Sequence, residues 1–528
     1  MTLEGLLIFI LIVQIIHFAG TWKLYQKAGR QAWEAAIPVY NAVILMKIIN
    51  RPWWYTILLF VPIVNLIMFP VLWVETLRSF GRNSNADTYL GVLTLGFYIY
   101  YINYSVDVTH LPDRSLQPTT SAGEWISSIL FAIVAATLVH TYFMQPFTIP
   151  TSSLEKTLLV GDYLFVSKFH YGARTPMTPI AFPMVHDTVP LVNSKSYSPQ
   201  LKSPYMRMPG FQKIKRNDIV VFNWPVDTVN IVSAPNDGKF HYKPIDKKTN
   251  YVKRCVGLPG DSIEVRDGYV WVNGEQNVLP DRAKLQFGYV VYTKEALTEG
   301  DIDYIRKRFD ITDIIPEYRQ PNTYYMQITD PALEQFRNFA KVLQVESLRK
   351  YEEAGKWSRG IFPYDPRYPN NNVHFGPIYI PQKAATVAIT PESIGLYKRI
   401  IEVYEGYEMG VSNTIRVTPT EVLLNERPIT EYTFAQDYYW MMGDNRNNSE
   451  DSRTWGYVPF NHVVGKPVFV WMSIDGQAKG LANKFRWKRF FTTVGGSGEP
   501  VSYFIPFLGL LVAWFIFNFF RKRRKQQA

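Results

Sequence analysis

The stretch "TIPTSSLEKTLLVGD", from Thr148 to Asp162, carries three adjacent hydroxyls, Thr151, Ser152 and Ser153, directly after Pro150. Such a hydroxyl is barely ionised at neutral pH and attacks a carbonyl only when a neighbouring base takes its proton. The stretch itself holds no obvious base. Two distant segments stand out beside it: "YVKRCVGLPGD" at 251–261, which holds a lysine, Lys253, and "GDNRNNSEDSRTWG" at 443–456. A lysine normally titrates near about 10.4, so it can serve as a base near neutral pH only where burial disfavours its charged form. Each segment alone has an ordinary explanation, as a cap, a tight turn or a solvated strand face. Other chemistries find less support. The eight histidines show no metal-ligand spacing. Cys255 lacks an activating histidine in sequence and reads as a small apolar strand residue. Being the single cysteine, it also excludes an internal disulfide.

The elements that must position these residues divide into two kinds. The chain has 528 residues, 47% of them hydrophobic, and a net charge of +11. Windows 5–22, 52–74, 88–106, 125–154 and 501–520 lack formal charge, over roughly the 20 residues a membrane helix needs. Lys23, Lys27, Arg30, Lys47 and Arg51 follow the first window, and Arg521 to Lys525 follow the last. The positive-inside tendency places both basic regions in the cytoplasm. Five crossings starting outside satisfy this and put 146–500 outside. Pro62 and Asn65 also permit a broken second helix. The charge pattern favours a membrane over nucleic acid. From about 160 the period changes to short β-rich runs such as "DIVVFNWP", "GYVWVNG" and "EVLLNERPI", which predict a mainly antiparallel β-domain. Residues 296–313 and 331–356 interrupt it. The latter has helical apolar spacing at Leu333, Phe336, Phe339, Val342 and Leu343, and "PYDPRYPNNN" reads as loop.

Taken together, the segments resemble type I signal peptidases. "IPTSSLEKTLLVGD" is similar to the family's nucleophile box, "KRCVGLPGD" to its lysine box and "GDNRNNSEDSRTWG" to its third signature. The likeness covers 125–285 and about 413–490. The N-terminal extension and the insert resemble the longer, Bacteroidetes-like form. The resemblance implies a membrane-bound Ser/Lys endopeptidase that cleaves signal peptides from exported preproteins after small residues. It makes Ser153 the nucleophile, Lys253 the base, and Ser153 N–H with the Thr151 hydroxyl the oxyanion donors. Ser449 would orient Lys253, with Asp451 and Arg453 as a supporting ion pair, and Ile149 and Leu164 would line the substrate pocket. Ser152 would fill a glycine position, Asp444 and Asn445 would form the turn, and Lys156, where the family has proline, would face solvent. A narrow dedicated substrate, or a silent membrane scaffold, are the competing readings.

The implied organisation is multi-pass, in a bacterial inner membrane, with the catalytic domain periplasmic. It comprises a three-helix membrane region at 1–110, a cytoplasmic linker at 111–124 and an anchor at 125–146. A β catalytic domain takes 147–285 and 413–490 and carries an inserted α/β subdomain at 286–412. A transmembrane helix at 501–520 precedes a basic cytoplasmic tail at 521–528. Membrane lipid and the secretion translocon are the further partners implied. No metal or organic cofactor is expected.

Overall fold

The computed structural model describes residues 3–118, 120–227, 242–478 and 480–527. The chain divides into two units. The first is built mainly on Met1–Phe143 and Arg174–Met208, the second on Met144–Ala173, Pro209–Thr228 and Lys248–Ala528.

In the first unit the helix Leu3–Lys27 is followed by short helices, Tyr40–Ile48, Tyr55–Leu58, Asn65–Ser79, Asn85–Leu93 and Tyr98–Ser105. They close on a core containing Leu24, Ile44, Met46, Val64, Leu72 and Ile102. The helix Ser121–Leu138 starts at Thr120, whose hydroxyl accepts the Gly123 N–H at 3.1 Å, an N-cap that satisfies an otherwise orphaned donor.

Among the described residues three helices are long and apolar enough to cross a membrane: Leu7–Lys27, Ser121–Phe143 and Phe504–Arg521. The windows at 52–74 and 88–106, expected as crossings, are both broken. Pro62 has no N–H to donate, and Ile63 beside it takes φ of 71°. Leu95 and Gly96 take φ of 53° and 86° between the two helices of the later window. The Glu75 carboxylate accepts from Arg51 at 3.3 Å and is also paired with Arg114. Five crossings would put Glu75 on the opposite side from both arginines. Groups in contact cannot be separated by a hydrocarbon core about 30 Å thick, so 52–74 doubles back instead of spanning.

The second unit is organised by an eight-stranded antiparallel sheet. Its spatial order is Met144–Thr148, Asp162–Ser167, Val463–Ser473, Ile219–Asn223, Asn250–Gly257, Tyr438–Met442 and Val458–Pro459, with Thr492–Thr493 added against Val463–Ser473. The strands Ile219–Asn223 and Tyr438–Met442 are buried throughout, matching their largely apolar sequences. Val220 lies opposite Lys253, and Arg254 lies opposite both Ile219 and Met442. Successive side chains of a strand leave opposite faces, so Lys253 and Arg254 diverge. The strand Tyr438–Met442 ends beside Arg254, which delivers the "GDNRNN" loop to this end of the sheet.

The insert is not one body. Its first part forms a separate sheet, ordered Val342–Ser347, Phe287–Thr293, Thr323–Ile328, Ile314–Pro316. The helices Glu299–Phe309 and Asp330–Phe336 share its core. The helical spacing read over 331–356 holds only as far as Phe336. Val342 and Leu343 start a strand paired with Phe287–Thr293, because short apolar runs serve either state until a partner strand is present. The later part belongs to the main core: Phe375 pairs with Val265, and Ile394 and Tyr397 pack in the cluster holding Trp440.

Candidate active site

Ser153 sits in a 3-10 turn, Ser152–Leu154, entered from the extended Thr151. The turn packs against the strand carrying Lys253. Leu154 shares an apolar cluster with Ile149, Leu164, Val166 and Val252. Leu164 is wholly enclosed and Ile149 nearly so. The two residues expected to line a substrate pocket are therefore core beneath the turn, with Leu164 on the inward face of its alternating strand.

The three hydroxyls occupy different environments. Thr151 is exposed, whereas Ser153 is buried. The Ser152 Oγ accepts from Asn448 Nδ2 at 2.9 Å. The backbone carbonyls are held as well: Ser153 O accepts the Asn445 N–H at 3.1 Å, and Ser152 O accepts Asn445 Nδ2 at 3.2 Å.

Lys253 is buried and makes no ion pair among the described residues; its Nζ lies 5.7 Å from the Tyr251 ring centre. Burial lowers its pKa from 10.5 to about 8, against the opposing pull of Asp451. No hydrogen bond joins Lys253 Nζ to Ser153 Oγ among the described residues. Such catalytic bonds are often long without substrate and tighten when it is bound.

The third segment frames the pair. Asp451, fully buried, caps its own short helix by accepting the Arg453 N–H at 3.2 Å. Its carboxylate takes Arg453 Nε at 2.9 Å and Nη2 at 2.8 Å, a two-point ion pair. Burial pushes this carboxyl up, but Arg453 outweighs it and holds the pKa below the ordinary value. The same carboxylate accepts the Gly443 N–H at 3.1 Å and the Ser449 hydroxyl at 2.9 Å. Ser449 thus donates to Asp451, and its lone pairs remain the groups that could accept from a lysine. A Cβ on Gly443 would lie 2.2 Å from Ser449 Oγ and 2.6 Å from Ser153 O. Glycine is required there because the two loops meet over its Cα.

Several further partners are fixed here. Arg254 ends on Asp444, with contacts of 2.7 and 2.5 Å, and Thr157 Oγ1 donates to the same carboxylate at 2.8 Å. Asp444 and Asn445 therefore do more than form a turn. Lys156 does not face solvent: its side chain is 4% exposed and its Nζ reaches Asp310 at 2.9 Å. Nothing in the sequence marked Asp310 as the partner of Lys156.

The buried Ser153 turn thus packs on a strand that offers a lysine of lowered pKa. The family described as "Signal peptidase, peptidase S26" matches residues 122–294 and 386–472. Signal peptidase I of Haemophilus influenzae is 25% identical over 386 residues, 72% of this chain and 78% of the relative. That of Buchnera aphidicola subsp. Schizaphis graminum is 25% identical over 364 residues, 69% and 79% of the two chains. That of Rickettsia massiliae is 31% identical over 157 residues, 30% and 45%. Over those segments the chain matches the S26 signal peptidase family. Residues 33–112 match a second family, of unknown function (DUF5684).

Proposed function

We propose that this chain is a membrane-anchored endopeptidase that removes signal peptides from exported preproteins, with Ser153 as nucleophile and Lys253 as its base. The observation that carries this reading is the buried Lys253, its pKa lowered to about 8, on the strand against which the Ser153 turn packs. Neutral Lys253 accepts the Ser153 proton as Oγ attacks the carbonyl after a small residue. The Ser153 N–H and the exposed Thr151 hydroxyl stabilise the oxyanion, the placement that transition-state charge requires. Lys253 then returns the proton to the leaving amine. It next activates the water that hydrolyses the acyl-enzyme. Ser449 accepts from Lys253, and Asp451 with Arg453 holds Ser449 in place.

The test is a pH profile of kcat/KM with a purified preprotein, its new N-terminus read by mass spectrometry. Protonated Lys253 cannot accept a proton, so activity rises with pH through about 8. A profile flat between about pH 6 and pH 9 sinks the lysine base. Gly443→Ala forces Ser449 from Ser153 and lowers kcat about tenfold or more in the same assay.

The anchoring follows from the three long apolar helices.

A further inference from the structure

Residues 310–313 belong to the stretch between the two segments matched to the S26 family, yet they bond to Glu155 and Lys156, just after the Ser153 turn, and to the asparagines that hold it. Asp313 Oδ2 accepts from Asn445 Nδ2 at 3.2 Å and from Asn448 Nδ2 at 3.3 Å. Those same two amide nitrogens donate to Ser152, one to its carbonyl and one to its hydroxyl. A single carboxylate oxygen thus orients both amides that hold the residue preceding the nucleophile.

Three more bonds cross the same gap. Lys156 Nζ reaches Asp310 Oδ1 at 2.9 Å and Thr312 Oγ1 at 3.4 Å, and Thr312 Oγ1 donates to Glu155 Oε1 at 3.4 Å. Lys156 takes φ of 72°, a conformation non-glycine residues adopt only when their surroundings hold them there. The far side is rigid. Asp313 O accepts the Gln327 N–H at 3.2 Å, and the next residues, Ile314–Pro316, pair with Thr323–Ile328. Gln286 exchanges backbone bonds with Asp444 and Arg446, and Gly288 N donates to Asn447 Oδ1 at 2.9 Å. The "GDNRNN" loop is therefore clasped between the nucleophile turn and the inserted sheet.

We propose that Asp313 is a positioning residue for the Ser153 nucleophile, acting through Asn445 and Asn448, and that the inserted sheet serves this chain as a backing plate for its active site. Asp310 assists by fixing Lys156. This rests on the reading of Ser153 as nucleophile. A misplacement of about 1 Å in reacting groups costs up to about a hundredfold in rate, which sets the scale expected.

The experiment uses the full chain in lipid vesicles with a purified preprotein, its rates normalised to the folded fraction. Asp313→Ala lowers kcat about tenfold or more with KM within about twofold. Asp313→Asn keeps an oxygen acceptor for both amides and restores most of the rate. Asp313→Ala combined with Asn448→Ala loses no more than the worse single variant, because both break one chain of bonds. A kcat for Asp313→Ala within about twofold of the parent overturns the proposal, as does strict additivity in the double variant or an Asp313→Asn as slow as the alanine. Where Asp313→Ala does not fold, the exposed Asn448→Ala carries the same expectation and the same refutation. Ser153→Ala, run alongside, separates the two claims. If it still cleaves, the nucleophile reading fails; if it is dead while Asp313→Ala is fast, only the positioning role fails.

Discussion

Ser153→Ala lowers kcat by about 10⁴-fold or more, since removing a nucleophile from a unit that acts together forfeits nearly all of its contribution. Lys253→Met has an equal effect on rate and an opposite effect on stability. In the folded chain Lys253 titrates at about 8 instead of 10.5. Between those values the unfolded chain binds a proton that the folded chain has released, so stability rises with pH across that window. Below about pH 8 the whole deficit is present, about 3 kcal/mol at about 1.4 kcal/mol per pH unit. Methionine has a similar volume and no charge to desolvate. Lys253→Met is therefore inactive yet more stable at pH 7 by about 3 kcal/mol, and its unfolding free energy loses the rise between pH 8 and 10.5. Denaturant unfolding at three pH values checks this. A variant as stable as the parent at pH 7 refutes the claim that folding works against this lysine.

Asp451→Ala is the most destabilising single change expected at the site. It leaves Arg453, 1% exposed, as a buried charge without its partner, and breaking one side of such a pair costs about 3–5 kcal/mol. It also removes the acceptor for the Ser449 hydroxyl and the Gly443 N–H, so cleavage falls with stability. Asp451→Asn retains one oxygen and loses less. Thermal unfolding ranks the parent above Asp451→Asn and Asp451→Asn above Asp451→Ala. Equal melting temperatures for parent and alanine variant would show that the pair carries no net stabilisation.

Part of the sheet was legible because its strands carry short β-rich apolar runs, as in Ile219–Asn223. The site segments were legible because tight turns and hydroxyl clusters leave distinctive sequences, and the structure brings Ser153, Lys253, Ser449, Asp451 and Arg453 to one end of that sheet. What stayed hidden depended on contacts distant in sequence. Hydropathy marks 52–74 as apolar but cannot register that Arg51, Glu75 and Arg114 meet. Helical spacing over Leu333–Leu343 could not foresee the strand that captures Val342. Lys156 beside Glu155 looked like a solvated pair until Asp310 was placed against it.

The distances along the chain between these partners have a consequence for biosynthesis. Ser153 is met by Lys253, by Asp313 through its asparagines, and by the loop ending at Arg453, while the strand beside Asp162–Ser167 is Val463–Ser473. Pairings of such long range form late, because closing the intervening loop must precede any gain from the contact. On a ribosome, Ser153 emerges some three hundred residues before Arg453, the last group that frames it. The growing polypeptide therefore remains without a complete active centre until its sheet closes. During that interval its own N-terminal apolar helix can enter the membrane before any newly made copy is competent to cut.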